Sequence, residues 1–98
     1  MSQIFLNSTI VRSSNQVSTN LGGEVVILGL QSEQYCGLAD VGASIWSLIQ
    51  EPKTVQEVLE VLLNEYAVEH SRCEGDLLAF LQVLASEDLI MVVNEEMP

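Results

Sequence analysis

The sequence predicts an α+β domain: a small antiparallel sheet of three strands, then three helices and a short C-terminal strand. Three observations carry this. Up to residue 38 the apolar residues alternate or gather in β-branched runs broken by turn residues. From Asp40 they recur at helical spacing. Thr54 with Glu57, and Ser71 with Glu74, repeat the Ser/Thr-x-x-Glu pattern that opens helices.

The elements follow in order. Residues 1–9 read as a frayed lead-in. Val17, Thr19 and Leu21 alternate with Ser18 and Asn20, as in a strand with one apolar face. Gly22-Gly23 supplies a hairpin turn, since glycine accepts positive φ without a Cβ penalty. Val25 to Leu30 is β-branched and nearly continuous, and predicts a central strand covered on both faces. Gln34 to Leu38 is a third, shorter strand. Asp40 is expected to cap the first helix, with Val41, Ile45, Leu48 and Ile49 on one face and Trp46 at its border. Pro52 stops it. Thr54 and Glu57 form a capping box for the second helix, whose apolar stripe runs Val55, Val58, Leu59, Leu62, Leu63 and Tyr66. Ser71 and Glu74 are expected to do the same for the third helix. Leu89 to Val93 is a final strand, and 94–98 a frayed tail. The order predicts one winged-helix-like domain over residues 1–98, with a helix-turn-helix in its second half.

Composition narrows the function. The chain has 98 residues, 14 acidic and 3 basic, for a formal charge of −11. Nucleic acid and anionic membrane surfaces are held mainly by Lys and Arg, and here only Arg12, Lys53 and Arg72 are available. No apolar run approaches the roughly 20 residues that span a bilayer. No basic-then-apolar start suggests export, so the expected compartment is the cytoplasm, with Cys36 and Cys73 reduced.

Catalytic chemistry is not visible. The single histidine, His70, has no second histidine or nearby cysteine in sequence to share a metal, and reads as solvated surface. Neither phosphate-loop glycine pattern occurs. The acidic residues sit at solvent-type positions, as Glu57, Glu60 and Glu65 do on the second helix. No enzyme activity, metal or cofactor is therefore expected.

Two surfaces are candidates for binding. The third strand, Gln34, Tyr35, Cys36, Gly37 and Leu38, is a sheet edge without charge or proline, open to an added strand. The alternative is an ordinary short edge. If the Cys36 N–H is used, proline there should abolish binding. The third helix is the second candidate. At about 100° per residue from Leu77, Leu81 and Leu84 lie within about 40°, while Asp76, Phe80 and Val83 lie near 240–300°. That arc is wider than one core face, so a flank faces either a groove or a second buried layer.

The residues then carry a family resemblance. Leu21-Gly22-Gly23-Glu24-Val25-Val26-Ile27-Leu28 and the stretch Tyr35-Cys36-Gly37-Leu38-Ala39-Asp40-Val41-Gly42-Ala43-Ser44-Ile45-Trp46 closely resemble PqqD-like proteins. Thr54 to Val58 and Asp76 to Leu81 continue the match in order, so it covers about residues 10–93. The resemblance implies a RiPP recognition element, a domain that binds the leader of a ribosomally made precursor peptide. It implies that the leader adds as a strand beside Gln34, Tyr35, Cys36, Gly37 and Leu38 and packs against the third helix at Asp76, Phe80 and Val83. The chain looks most like the stand-alone proteins of lasso-peptide pathways, whose partner is a separate leader protease. A PqqD-type chaperone serving a radical-SAM enzyme is the alternative, and a winged-helix regulator or an enzyme stands behind both.

Overall fold

Residues 3–93 are described by a computed structural model, in the order β1 (Thr9–Arg12), β2 (Gln16–Leu21), β3 (Glu24–Gly29), β4 (Tyr35–Leu38), α1 (Asp40–Leu48), β5 (Lys53–Thr54), α2 (Val55–Glu65), α3 (His70–Ser86) and β6 (Ile90–Val93). The α+β class and the three-stranded meander stand. The tail expected over 94–98 lies outside the described residues, as do residues 1 and 2.

The meander is antiparallel, in the order β2-β3-β4. Gly22 and Gly23 take φ of +59° and +90°, and Leu21 pairs with Glu24 across this two-residue turn. Along β3, Val25, Ile27 and Gly29 are buried, whereas Val26 and Leu28 are only half-buried. The expectation of a strand covered on both faces is therefore corrected. An antiparallel meander can leave one face toward solvent, and the helices here pack on the other.

A second sheet, β5-β1-β6, was not legible in the sequence. β1 has only four residues and one fully buried side chain, Ile10, and its partners come from residues 53–54 and 90–93. Its signal is tertiary. The lead-in before it is held rather than frayed from Ile4 onward. Ile4 is buried and its N–H donates to Gln82 Oε1 at 3.0 Å. The carbonyls of Ser8 and Leu6 accept from the Val55 and Gln56 N–H groups, both at 2.9 Å, satisfying donors at the start of α2.

The helix starts divide. The α2 capping box forms as its residues require: Glu57 N–H donates to Thr54 Oγ1 at 3.1 Å, and Thr54 N–H to Glu57 Oε1 at 2.9 Å. At α1 the cap position belongs to Ala39, in extended backbone, and no side chain caps the helix. Asp40 instead lies one residue inside, with φ +53°, a region that aspartate enters more readily than most residues. α3 begins at His70 with Glu69 at its cap position, so Ser71 falls within the first turn and makes no capping box. α3 ends in a Schellman turn: Leu89 N–H donates to the Leu84 carbonyl and Asp88 N–H to that of Ala85, with Asp88 at φ +63°.

One apolar cluster joins these elements, with Ile10, Ile27, Trp46, Ile49, Leu59, Leu62, Leu81 and Leu84 fully buried. Trp46, expected at the border of α1, is inside, and Val41, expected on its core face, is exposed.

Candidate functional site

The site is assembled from the free edge of β4, the first turn of α1 and one flank of α3. β4 pairs only with β3 among the described strands. Gly29 N–H donates to the Gln34 carbonyl at 3.0 Å, which sets the phase of the ladder. In an antiparallel pair, every second residue exchanges bonds with its partner. With Ile27 opposite Cys36 and Val25 opposite Leu38, the backbone groups of Cys36 and Leu38 face β3. Those of Tyr35 and Gly37 face the open edge. The condition set for Cys36, that a ligand uses its N–H, is therefore not met: that donor belongs to the sheet.

Side chains alternate the opposite way. Leu38 points inward and is buried, Cys36 is half-buried, and Tyr35 stands outward with 74% of its surface exposed. Where β4 runs into α1, a cavity of about 470 Å³ opens against α3. Its walls are mainly apolar, formed by Leu38, Val41, Ile45, Leu77 and Phe80 among others. Gly42 lies on the cavity wall, where a Cβ would make ordinary contact at 3.6 Å with both the Leu38 Cβ and the Phe80 Cζ. Arg72 and Asp76 also line the cavity, as a highly exposed pair 3.9 Å apart that adds little binding energy of its own.

Of the residues expected from sequence, Gly37, Leu38, Asp76 and Phe80 come together around the cavity. Tyr35 and Cys36 lie along the adjoining strand and Gln34, expected as its first residue, just before it; none of the three lines the cavity. Val83 lies outside it and is 58% exposed. Sequence reasoning missed Val41, Gly42, Val68, Arg72 and Cys73. The available signal was Val41-Gly42, which read as ordinary helix; Val68, in the α2–α3 connection, and Arg72 and Cys73, at the start of α3, are brought in only by tertiary placement.

Both cysteines are free. Burial, with the Glu87 carboxylate adding to it, raises the Cys36 thiol above its ordinary value. Burial and Asp76 raise that of Cys73. His70 is exposed and lies 3.9 Å from Glu74. Among the described residues no group of three His, Cys, Asp or Glu is placed to hold a metal, and no helix is long and apolar enough to cross a membrane.

Comparison with known proteins bears on this geometry. Residues 24–90 match the family model described as coenzyme PQQ synthesis protein D (PqqD). The solved structure of TbiB1 in complex with the TbiA(beta) leader peptide is 38% identical and superposes with a TM-score of 0.79, covering 87% of this chain and 99% of the other. A lasso peptide synthetase B1 complexed with the leader peptide is 22% identical, with a TM-score of 0.74 over 84% of this chain and 96% of the other, a likeness of fold. No curated protein matches.

Proposed function

The chain belongs to the PqqD family, and from that premise we propose that it is a RiPP recognition element of lasso-peptide biosynthesis, a non-catalytic adaptor for a precursor's leader peptide. The observation that carries this reading is the superposition, over most of both chains, on TbiB1, which is solved with a leader peptide bound. The site supplies a matching mechanism. The leader adds as a strand along β4, exchanging hydrogen bonds with the backbone groups of Tyr35 and Gly37. A side chain next to that strand enters the cavity between Leu38, Val41 and Phe80, burying apolar surface worth about 1.5–3 kcal/mol. Gln34, Cys36 and Leu38 support the strand from behind, while Asp76 and Val83 border its path along α3.

Holding only the leader leaves the remainder of the precursor free. In this reading the adaptor works in the cytoplasm and presents its cargo to a separate leader protease. Strand addition suits that task, because backbone bonds give affinity with modest demands on sequence and one cavity supplies selectivity.

The test is titration of the labelled protein with a synthetic leader peptide, with calorimetry in parallel. Amide shifts should concentrate at residues 35–42 and 72–80. Absence of heat and of shifts with the cognate leader would overturn the reading. Presentation is tested separately, by leader cleavage with the partner protease in the presence and absence of this chain; equal rates would remove that step.

A further inference from the structure

The meander has a second open edge, on β2, and it is the longer one. Six residues, Gln16–Leu21, form this strand against the four of β4, and among the described residues it pairs with β3 alone. Its phase is set by Leu30 N–H donating to the Asn15 carbonyl at 2.9 Å. Val17, Thr19 and Leu21 therefore exchange bonds with β3, and the backbone groups of Gln16, Ser18 and Asn20 face outward.

Exposed edges are usually guarded by charge, proline or a covering element. This one has no charge or proline: from Ser13 to Gly23 no residue is charged, in a chain of net charge −11. Val17 and Leu21, on the outer face of the same strand, are 54% and 60% exposed. β4 is different, because it follows Glu33 and feels the charge of Glu87.

We propose that Gln16–Leu21 is a self-complementary edge through which two copies of this chain pair antiparallel, joining their meanders into one continuous sheet. A two-fold antiparallel pairing sets a segment against itself, so any carboxylate in it meets carboxylates of the other copy at short range. β2 is the long edge on which two strongly acidic copies approach without that repulsion. Val17 and Leu21 of both copies then share one outer face. Both β4 edges stay open, so the dimer and the groove are independent. Such an edge buries well under the roughly 800 Å² per partner of a stable interface, so the dimer is weak and concentration-dependent.

Sedimentation velocity on the peptide-free protein, from micromolar to near-millimolar concentration, tests this. The sedimentation coefficient should rise with concentration for the parent chain. It should stay at the monomer value for Asn20→Pro, which removes an outward N–H, and for Val17→Lys, which adds like charge to both edges. Circular dichroism should show both variants folded; if one is not, the other decides. A parent chain that stays monomeric throughout overturns the proposal. So does association that persists in a folded variant, or leader-induced amide shifts at 16–21 instead of along β4. Leader affinity of the folded variants should match the parent's, which separates this test from that of the groove.

Discussion

Arg12 grips Trp46 in two ways: its guanidinium carbon lies 4.7 Å from the indole centroid, and its Nε and Nη2 donate to the Trp46 carbonyl at 3.0 and 2.8 Å. The Arg12 backbone N–H donates to the Ile49 carbonyl at 3.1 Å, so a cation and an amide together satisfy the end of α1. On the other side, Trp46 Nε1 donates to Ser18 Oγ at 3.1 Å. One arginine and one tryptophan thereby fasten β1, α1 and β2. Burial lowers the Arg12 pKa from its ordinary value, yet the guanidinium stays charged at any working pH.

Arg12→Ala should therefore reduce unfolding free energy by about 2–3 kcal/mol, the sum of charge-assisted bonds and a partly exposed cation–π contact. Urea unfolding measures this as a lower midpoint at unchanged slope. Arg12→Lys should recover only part, because ammonium cannot reproduce the forked donation. Full stability in Arg12→Ala would show that the clasp contributes nothing.

The phase of β4 separates two proline substitutions. Gly37→Pro removes an N–H at the open edge, so the fold should persist while leader affinity falls about tenfold. Cys36→Pro removes a donor used by β3 and should disorder the meander itself. Amide spectra distinguish the two. Gly37→Pro binding with parental affinity would rule out strand addition at this edge.

The cavity separates two positions on α3. Phe80→Ala should cost about 1–3 kcal/mol of stability, less than truncating a fully buried phenylalanine, and should weaken leader binding at least tenfold. Val83→Ala should leave stability within about 0.5 kcal/mol. Calorimetry on both gives the comparison. Parental affinity in Phe80→Ala would exclude the cavity as an anchor site.

Cys73 reports on occupancy. Its raised pKa keeps the thiol neutral at pH 7, so alkylation should be slow and should accelerate above the ordinary thiol range. Since folding favours the protonated form, this contributes stability below the ordinary thiol value that is lost as pH rises through the folded one. Bound leader should protect Cys73. Equal labelling with and without leader, read in Cys36→Ser, would move the leader away from this wall.

From Glu74 to the end the chain has six acidic residues and no basic one. A leader with Lys or Arg beside its anchor should associate faster at low salt. Stopped-flow rates that ignore ionic strength would assign the charge to solubility alone.

Local chemistry was legible. Gly22-Gly23 turns because glycine tolerates φ above zero, and Thr54 with Glu57 caps α2 because Glu57 stands three positions after it, at N3. Asp40 and Ser71 show the limit of such signals: each has cap chemistry, but the structure places Ala39 and Glu69 at the cap positions. Helix starts answer to packing as well as to caps.

The residues alone pointed to the order of the main elements, to an edge strand at Gln34 to Leu38, which forms from Tyr35, and to a helix flank at Asp76, Phe80 and Val83, of which Val83 lies outside the cavity. Only the tertiary structure decided which β4 backbone groups are free, that β1 ties together residues 53–54 and 90–93, and that Val41 and Cys73 share a cavity with Phe80. The reason lies in distance along the chain. Turns and caps are set by neighbours a few residues apart, whereas ladder phase and cavity walls are set by which distant segments pair, and a shift of one residue exchanges every inward group for an outward one.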